Sequence, residues 1–79
     1  MPRYFFHVYN DEITYDEDGA EIPDDSAARE WAKRAILGLA AESIKRHRHL
    51  VLHHKIVIAD SAGNDVDSVE FGEAIQVIG

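Results

Sequence analysis

The chain has 79 residues, no cysteine and a formal net charge of −7. This length makes a single domain, 1–79, that buries only about 60% of the surface its unfolded form exposes; with disulfides excluded, a metal or a partner subunit is the remaining way to support so small a core. The charge argues against non-specific binding to nucleic acid or anionic membrane, and no stretch approaches the ~18 apolar residues of a membrane-crossing helix.

The N-terminal apolar run is too short for a secretory signal, and the absence of cysteine fits a reducing compartment, so a cytoplasmic protein is expected. Arg3 to Tyr9 is rich in aromatic and β-branched residues and reads as a strand. Its alternation places Tyr4, Phe6 and Val8 on one face and Phe5, His7 and Tyr9 on the other. Both faces are bulky, which predicts a central strand whose second face is also covered. Asn10-Asp11 is turn chemistry, and Glu12 to Asp16 alternates as a returning strand. A tight turn comes next at Asp18-Gly19, and Ile22 stands where it can staple against an early helical residue.

Asp24 to Arg48 is the only stretch with the apolar spacing of a helix, and Pro23-Asp24-Asp25-Ser26 supplies its start signal. The wheel predicts a buried stripe of Ala28, Trp31, Ala32, Ala35, Ile36 and Leu39, with Trp31 supplying the bulk. A smaller set, Leu37, Ala41 and Ile44, lies on nearly the opposite side. It is either scattered surface, covered by the C-terminal tail, or a contact with another chain. No glycine or proline marks the helix end, which is expected to fray through Lys45 to His49. His53 to Ala59 reads as a third strand, Asp60 to Asp65 as a hairpin loop, and Val66 to Phe71 as a fourth strand. The last residues, 73–79, suit one more turn or a short edge strand. The expected fold is α+β, in the order β-β-α-β-β, with one helix packed on a four-stranded antiparallel sheet.

Charge is divided along the chain. Residues 1–30 carry two cations against nine carboxylates, residues 31–55 six cations against one carboxylate, and residues 56–79 five carboxylates with no lysine or arginine. Helix electrostatics accounts for most of this, with acids at the helix start and bases at its end. The sharper account is an acidic surface of one subunit meeting a basic surface of another.

The segments Met1 to Val8, Asp16 to Asp24 leading into an alanine-rich helix, and Ile58 to Asn64 followed by a strand ending near Phe71 resemble a family of small alphaproteobacterial proteins. That family is known as domain of unknown function 6894. The resemblance covers nearly the whole chain and implies a bacterial cytoplasmic protein of this architecture, with no assigned activity or site residues. The histidine-rich segment His47 to His54 departs from it. At the level of fold alone, the aromatic strand and hairpin ahead of a capped helix are also similar to the HicB-type antitoxin domain, a likeness that does not carry function.

Among candidate sites, His47, His49, His53 and His54 offer imidazoles to a metal, but adjacent histidines on a strand point to opposite faces, and Arg46, Arg48 and Lys55 repel a cation. Lys45, Arg46 and Arg48 are the nucleic-acid alternative, an antitoxin-like use of the basic helix end. Asp16 to Gly19 fails the ligand order of a calcium-binding loop. No phosphate-cradling glycine loop or nucleophile elbow is present. The reading is therefore a non-enzymatic protein–protein interaction or regulatory module without cofactor, expected to be homodimeric through Phe5, His7, Tyr9, Leu37 and Ile44. A histidine-based metal-responsive protein is a further alternative.

Overall fold

The computed structural model describes residues 1–78. Strands β1 (Arg3–Tyr9), β2 (Ile13–Thr14) and β3 (Ala20–Glu21) precede helix α1 (Asp25–His47), and β4 (Lys55–Ala59), β5 (Asp65–Glu70) and a one-turn helix α2 (Phe71–Ala74) come after it. All pairings are antiparallel, in the order β2-β1-β4-β5, with β3 also on β1. The α+β architecture thus stands, but the sheet has five strands in four lanes. β2 pairs with Val8 and Tyr9, and β3 pairs with Arg3 and Tyr4, so the two share one edge of β1.

The returning strand expected over residues 12–16 is cut to Ile13–Thr14 for a specific reason. Asp16 turns its carboxylate onto the edge of β1 and accepts the Phe6 N–H at 3.1 Å, taking the place a ladder carbonyl would hold. The fourth strand ends one residue earlier than expected. Phe71 instead opens α2, its N–H given to the His54 carbonyl at 2.7 Å and its ring buried. The third strand starts at Lys55 rather than His53.

Helix α1 begins where its capping residues place it: Asp24 is extended, and its Oδ1 accepts the Ala27 N–H at 2.8 Å. It ends on Arg48 in the left-handed conformation, φ 57°, whose N–H bonds the Ile44 carbonyl. The helix therefore stops with a defined αL cap on a non-glycine residue. The core is formed by Ala28, Ala32, Ile36 and Ala40 of α1 against Tyr4, Ile56, Ile58 and Val69 of the sheet, closed by Ile22 and Phe71.

Trp31 does not supply the bulk of that core. It is 48% exposed, and its ring lies 6.1 Å from that of Phe6 in a tilted arrangement. Four lanes span roughly 19 Å at strand spacing, and a helix covers only about 10–12 Å. Alanines seat α1 close to the sheet, and Trp31, on the flank of the stripe, spreads over Phe6 towards the lane that the helix does not reach.

Candidate functional site

No helix among the described residues covers the face of the sheet away from α1; the tract 15–19 reaches its border at Phe5 and His7. Register puts Phe5, His7 and Tyr9 of β1 beside Ala59, Val57 and Lys55 of β4, with Ile13 opposite Tyr9 at one border and Ser68 and Glu70 of β5 at the other. Phe5, His7 and Tyr9 are half-buried by these neighbours, and Val57 and Ala59 are fully shielded between them. The Lys55 Nζ lies 5.5 Å from the centre of the Tyr9 ring, so its stem covers part of the same face. Ile13 and Tyr15 remain largely exposed at the border.

His7 has a defined role on this face. Its Nδ1 accepts the Asp16 N–H at 3.0 Å, which places the proton of the neutral ring on Nε2, and its ring meets Tyr15 edge-on at 5.3 Å. Asp16 accepts three backbone N–H groups, from Phe6, Asp18 and Gly19. Burial pushes the Asp16 carboxyl pKa up, but the Gly19, Phe6 and Asp18 N–H groups together with His7 outweigh it and hold it below the ordinary carboxylate value. The tract 15–19 is thereby tied to β1 without being a strand.

At the C-terminal end of α1 a cleft of about 190 Å³ is lined by Asn10, Asp11, Leu39, Glu42, Ser43, Arg46, His47, His54 and Phe71. Two pairs of polar side chains face one another within it. Arg46 Nε donates to Glu42 Oε1 at 2.6 Å, and His54 Nε2 faces Asp11 Oδ1 at 3.7 Å while its ring meets Phe71 edge-on. The four candidate metal-binding histidines do not converge. His47 stacks on His49 at 5.4 Å, and the His53 and His54 rings stand nearly perpendicular at 5.9 Å. No group of three or more histidine, aspartate or glutamate side chains able to hold a metal ion occurs among the described residues.

Of the three cations read as a nucleic-acid patch, Arg46 is occupied by Glu42, whereas the side chains of Lys45 and Arg48 make no hydrogen bond or ion pair among the described residues. Leu37 and Ile44 point to solvent, 54% and 52% exposed.

An ionic clamp that local sequence does not signal joins α1 to β5 and α2. Arg29 Nη1 donates to both oxygens of Asp67, at 2.9 and 3.0 Å, and to the Ser68 carbonyl, and Nη2 donates to Glu73. The bond to Asp67 raises the Arg29 pKa, while the Glu70 N–H, with help from Arg29, lowers that of Glu73.

No described helix is long and apolar enough to cross a membrane. No curated protein and no solved structure matches the chain. A family model does match, over residues 3–72, which span β1 through the start of α2: the chain belongs to the family described as a domain of unknown function, DUF6894.

Proposed function

We propose that the chain is a non-enzymatic protein–protein interaction module that works as a homodimer, joined through the outer face of its sheet. The observation that carries this reading is the one-sided build: a single helix covers one face, while the other leaves Phe5, His7 and Tyr9 half-exposed beside the exposed Ile13 and Tyr15.

Charge supports a second copy as the occupant. The outward register positions hold Arg3 and Lys55 against Glu21, Asp65 and Glu70, a balance of −1 on this face in a chain of −7. Two such faces can approach without the repulsion that the chain's total charge would impose, with opposite charges at the rim and aromatic rings at the centre. The dimensions also suffice. The molecule measures 39 × 24 × 16 Å, and a stable dimer needs about 800 Å² per partner.

Sedimentation velocity at tens of micromolar is expected to give twice the mass of the chain, and Ile13→Glu, at an exposed border position, to shift the population to monomer with the circular dichroism unchanged. A wild-type chain that stays monomeric, or a dimer indifferent to Ile13→Glu and Tyr9→Glu, would overturn the reading.

A further inference from the structure

We infer that the outward face of α1 is a docking surface for an acidic amphipathic helix of another protein. At 100° per residue, Arg34, Leu37, Ala41, Ile44, Lys45 and Arg48 fall in one stripe opposite the buried Ala28, Ala32 and Ile36. Leu37 and Ile44 stand one above the other around the small Ala41, each more than half exposed, and no segment of the described chain covers them. Such an i, i+4, i+7 ridge is the form in which helices anchor to one another. Arg34, Lys45 and Arg48 bracket the ridge. None of the three side chains has a hydrogen-bond or ion-pair partner among the described residues, although the chain carries 15 Asp and Glu side chains. Glu30 and Glu42, the carboxylates nearest to them on the helix, are taken by Lys33 at 3.7 Å and by Arg46.

The unpaired cations decide the occupant. An antiparallel second copy crossing at Ala41 would bring Arg34 of each chain onto Arg48 of the other, and a parallel one would set each cation against its own counterpart. Either arrangement places like charges together next to an apolar contact, which costs more than the ridge returns. A nucleic acid would satisfy the cations, but its backbone has nothing to cover Leu37 and Ile44. A helix with leucine-like residues on one side and carboxylates along its margins satisfies both parts. This surface lies on the opposite layer from the proposed dimer face and does not depend on it.

The test is a titration of the full chain, monitored by amide chemical shifts, with a synthetic peptide of about 20 residues, long enough to hold a helix. It carries leucines at i, i+4 and i+7 between glutamates. Binding is expected with Kd on the order of 10–100 µM, with shifts confined to the 34–48 part of α1. It should weaken with added salt, and about tenfold or more when the glutamates are replaced by lysines or when Ile44→Glu is introduced. The exposed position lets that variant keep its fold, which its own amide dispersion checks. Absence of binding, shifts on the sheet instead, or equal binding of the lysine peptide would overturn the proposal. So would displacement of the acidic peptide by a short DNA duplex, which would assign the stripe to nucleic acid. Dissociation of a dimer by Ile44→Glu would assign it to a second copy and leave the sheet face without that role.

Discussion

Two side chains, Tyr4 and Asp16, tie β1 to the start of α1 and to the tract 15–19. The Tyr4 hydroxyl donates to Asp25 Oδ1 at 2.6 Å, from a position where the ring is buried under the start of α1. That bond, then burial, then the charges of Asp25, Asp24 and Asp60 push the Tyr4 phenol up to about 12 from its ordinary value of 10. Because the pKa in the folded state is the higher one, the stabilisation belongs to the neutral phenol. It is fully present below pH 10 and is lost as pH rises through about 12. Of the three tyrosines, an ultraviolet absorbance titration is expected to show one ionising near pH 12, a step that disappears in Tyr4→Phe. If every phenol ionises together near 10 while circular dichroism still reports a folded chain, the bond to Asp25 does not control Tyr4. Asp16 needs its turn to close tightly, and the turn needs Gly19. Gly19 has φ 69°, and a Cβ there would stand 2.7 Å from the Tyr4 carbonyl and 2.9 Å from the Phe5 ring. Gly19→Ala is expected to cost about 2–3 kcal/mol in urea unfolding, from left-handed strain and displaced backbone together. A loss under ~0.5 kcal/mol would mean that tract 15–19 moves away freely.

Helix α1 supplies the contrasting glycine. Gly38 has nothing within 4 Å of an added Cβ and an ordinary helical backbone, so it weakens the helix without any packing return inside the chain. Gly38→Ala is expected to raise stability by about 0.5–1 kcal/mol, seen as a higher urea midpoint at unchanged m-value. A decrease would show that Gly38 makes a close contact in the native assembly. How much of each element is legible in the sequence depends on the range of its interactions. The start of α1 is legible because Asp24 and Ala27 are three residues apart, and the Asp18-Gly19 turn because glycine answers a local dihedral demand. Strand β3 is not, because two residues, Ala20 and Glu21, become a strand only by pairing with β1. The Arg29 clamp spans 38 residues to Asp67 and 44 to Glu73, a separation over which no spacing rule operates. The wheel assigns Trp31 to the core by its angular place, but it carries no information on how wide the sheet beneath is. Among the candidate site residues, the exposure of Leu37 and Ile44 is readable from periodicity, whereas the pairing of Arg46 with Glu42 leaves the basic patch smaller than a count of cations suggests.

For the whole molecule, the way it can associate depends on what its sheet edges allow. An open edge strand offers unpaired N–H groups to any other edge, and small antiparallel sheets need a device against this. On the β1 side the device is the Asp16 carboxylate on the Phe6 N–H, between the two short strands that occupy the rest of that edge. On the β5 side the Ser68 N–H is taken by Asp67 Oδ1 at 2.8 Å and the Glu70 N–H by Glu73 Oε2 at 2.9 Å, and a bulge at Ile58/Ala59 disturbs the ladder further. The carboxylates that cap this edge are the same two that hold Arg29, so one ionic group both docks the helix and closes the sheet. With these N–H groups occupied, the edges offer little to pair with, in keeping with the proposed contacts through the sheet's outer face and the outward stripe of α1. Removing the caps should change that. Asp67→Ala/Glu73→Ala frees two neighbouring outward N–H groups and is expected to give thioflavin-positive, strand-paired oligomers at concentrations where the parent chain does not exceed a dimer. Loss of the clamp alone would also destabilise the fold, so Arg29→Met is the necessary companion. It breaks the same ion pairs, at about 1–2 kcal/mol for a partly exposed network, but leaves both carboxylates on the strand backbone. If Arg29→Met associates as readily as the double variant, the cause is lost stability. If only the double variant does, the carboxylates guard the edge directly.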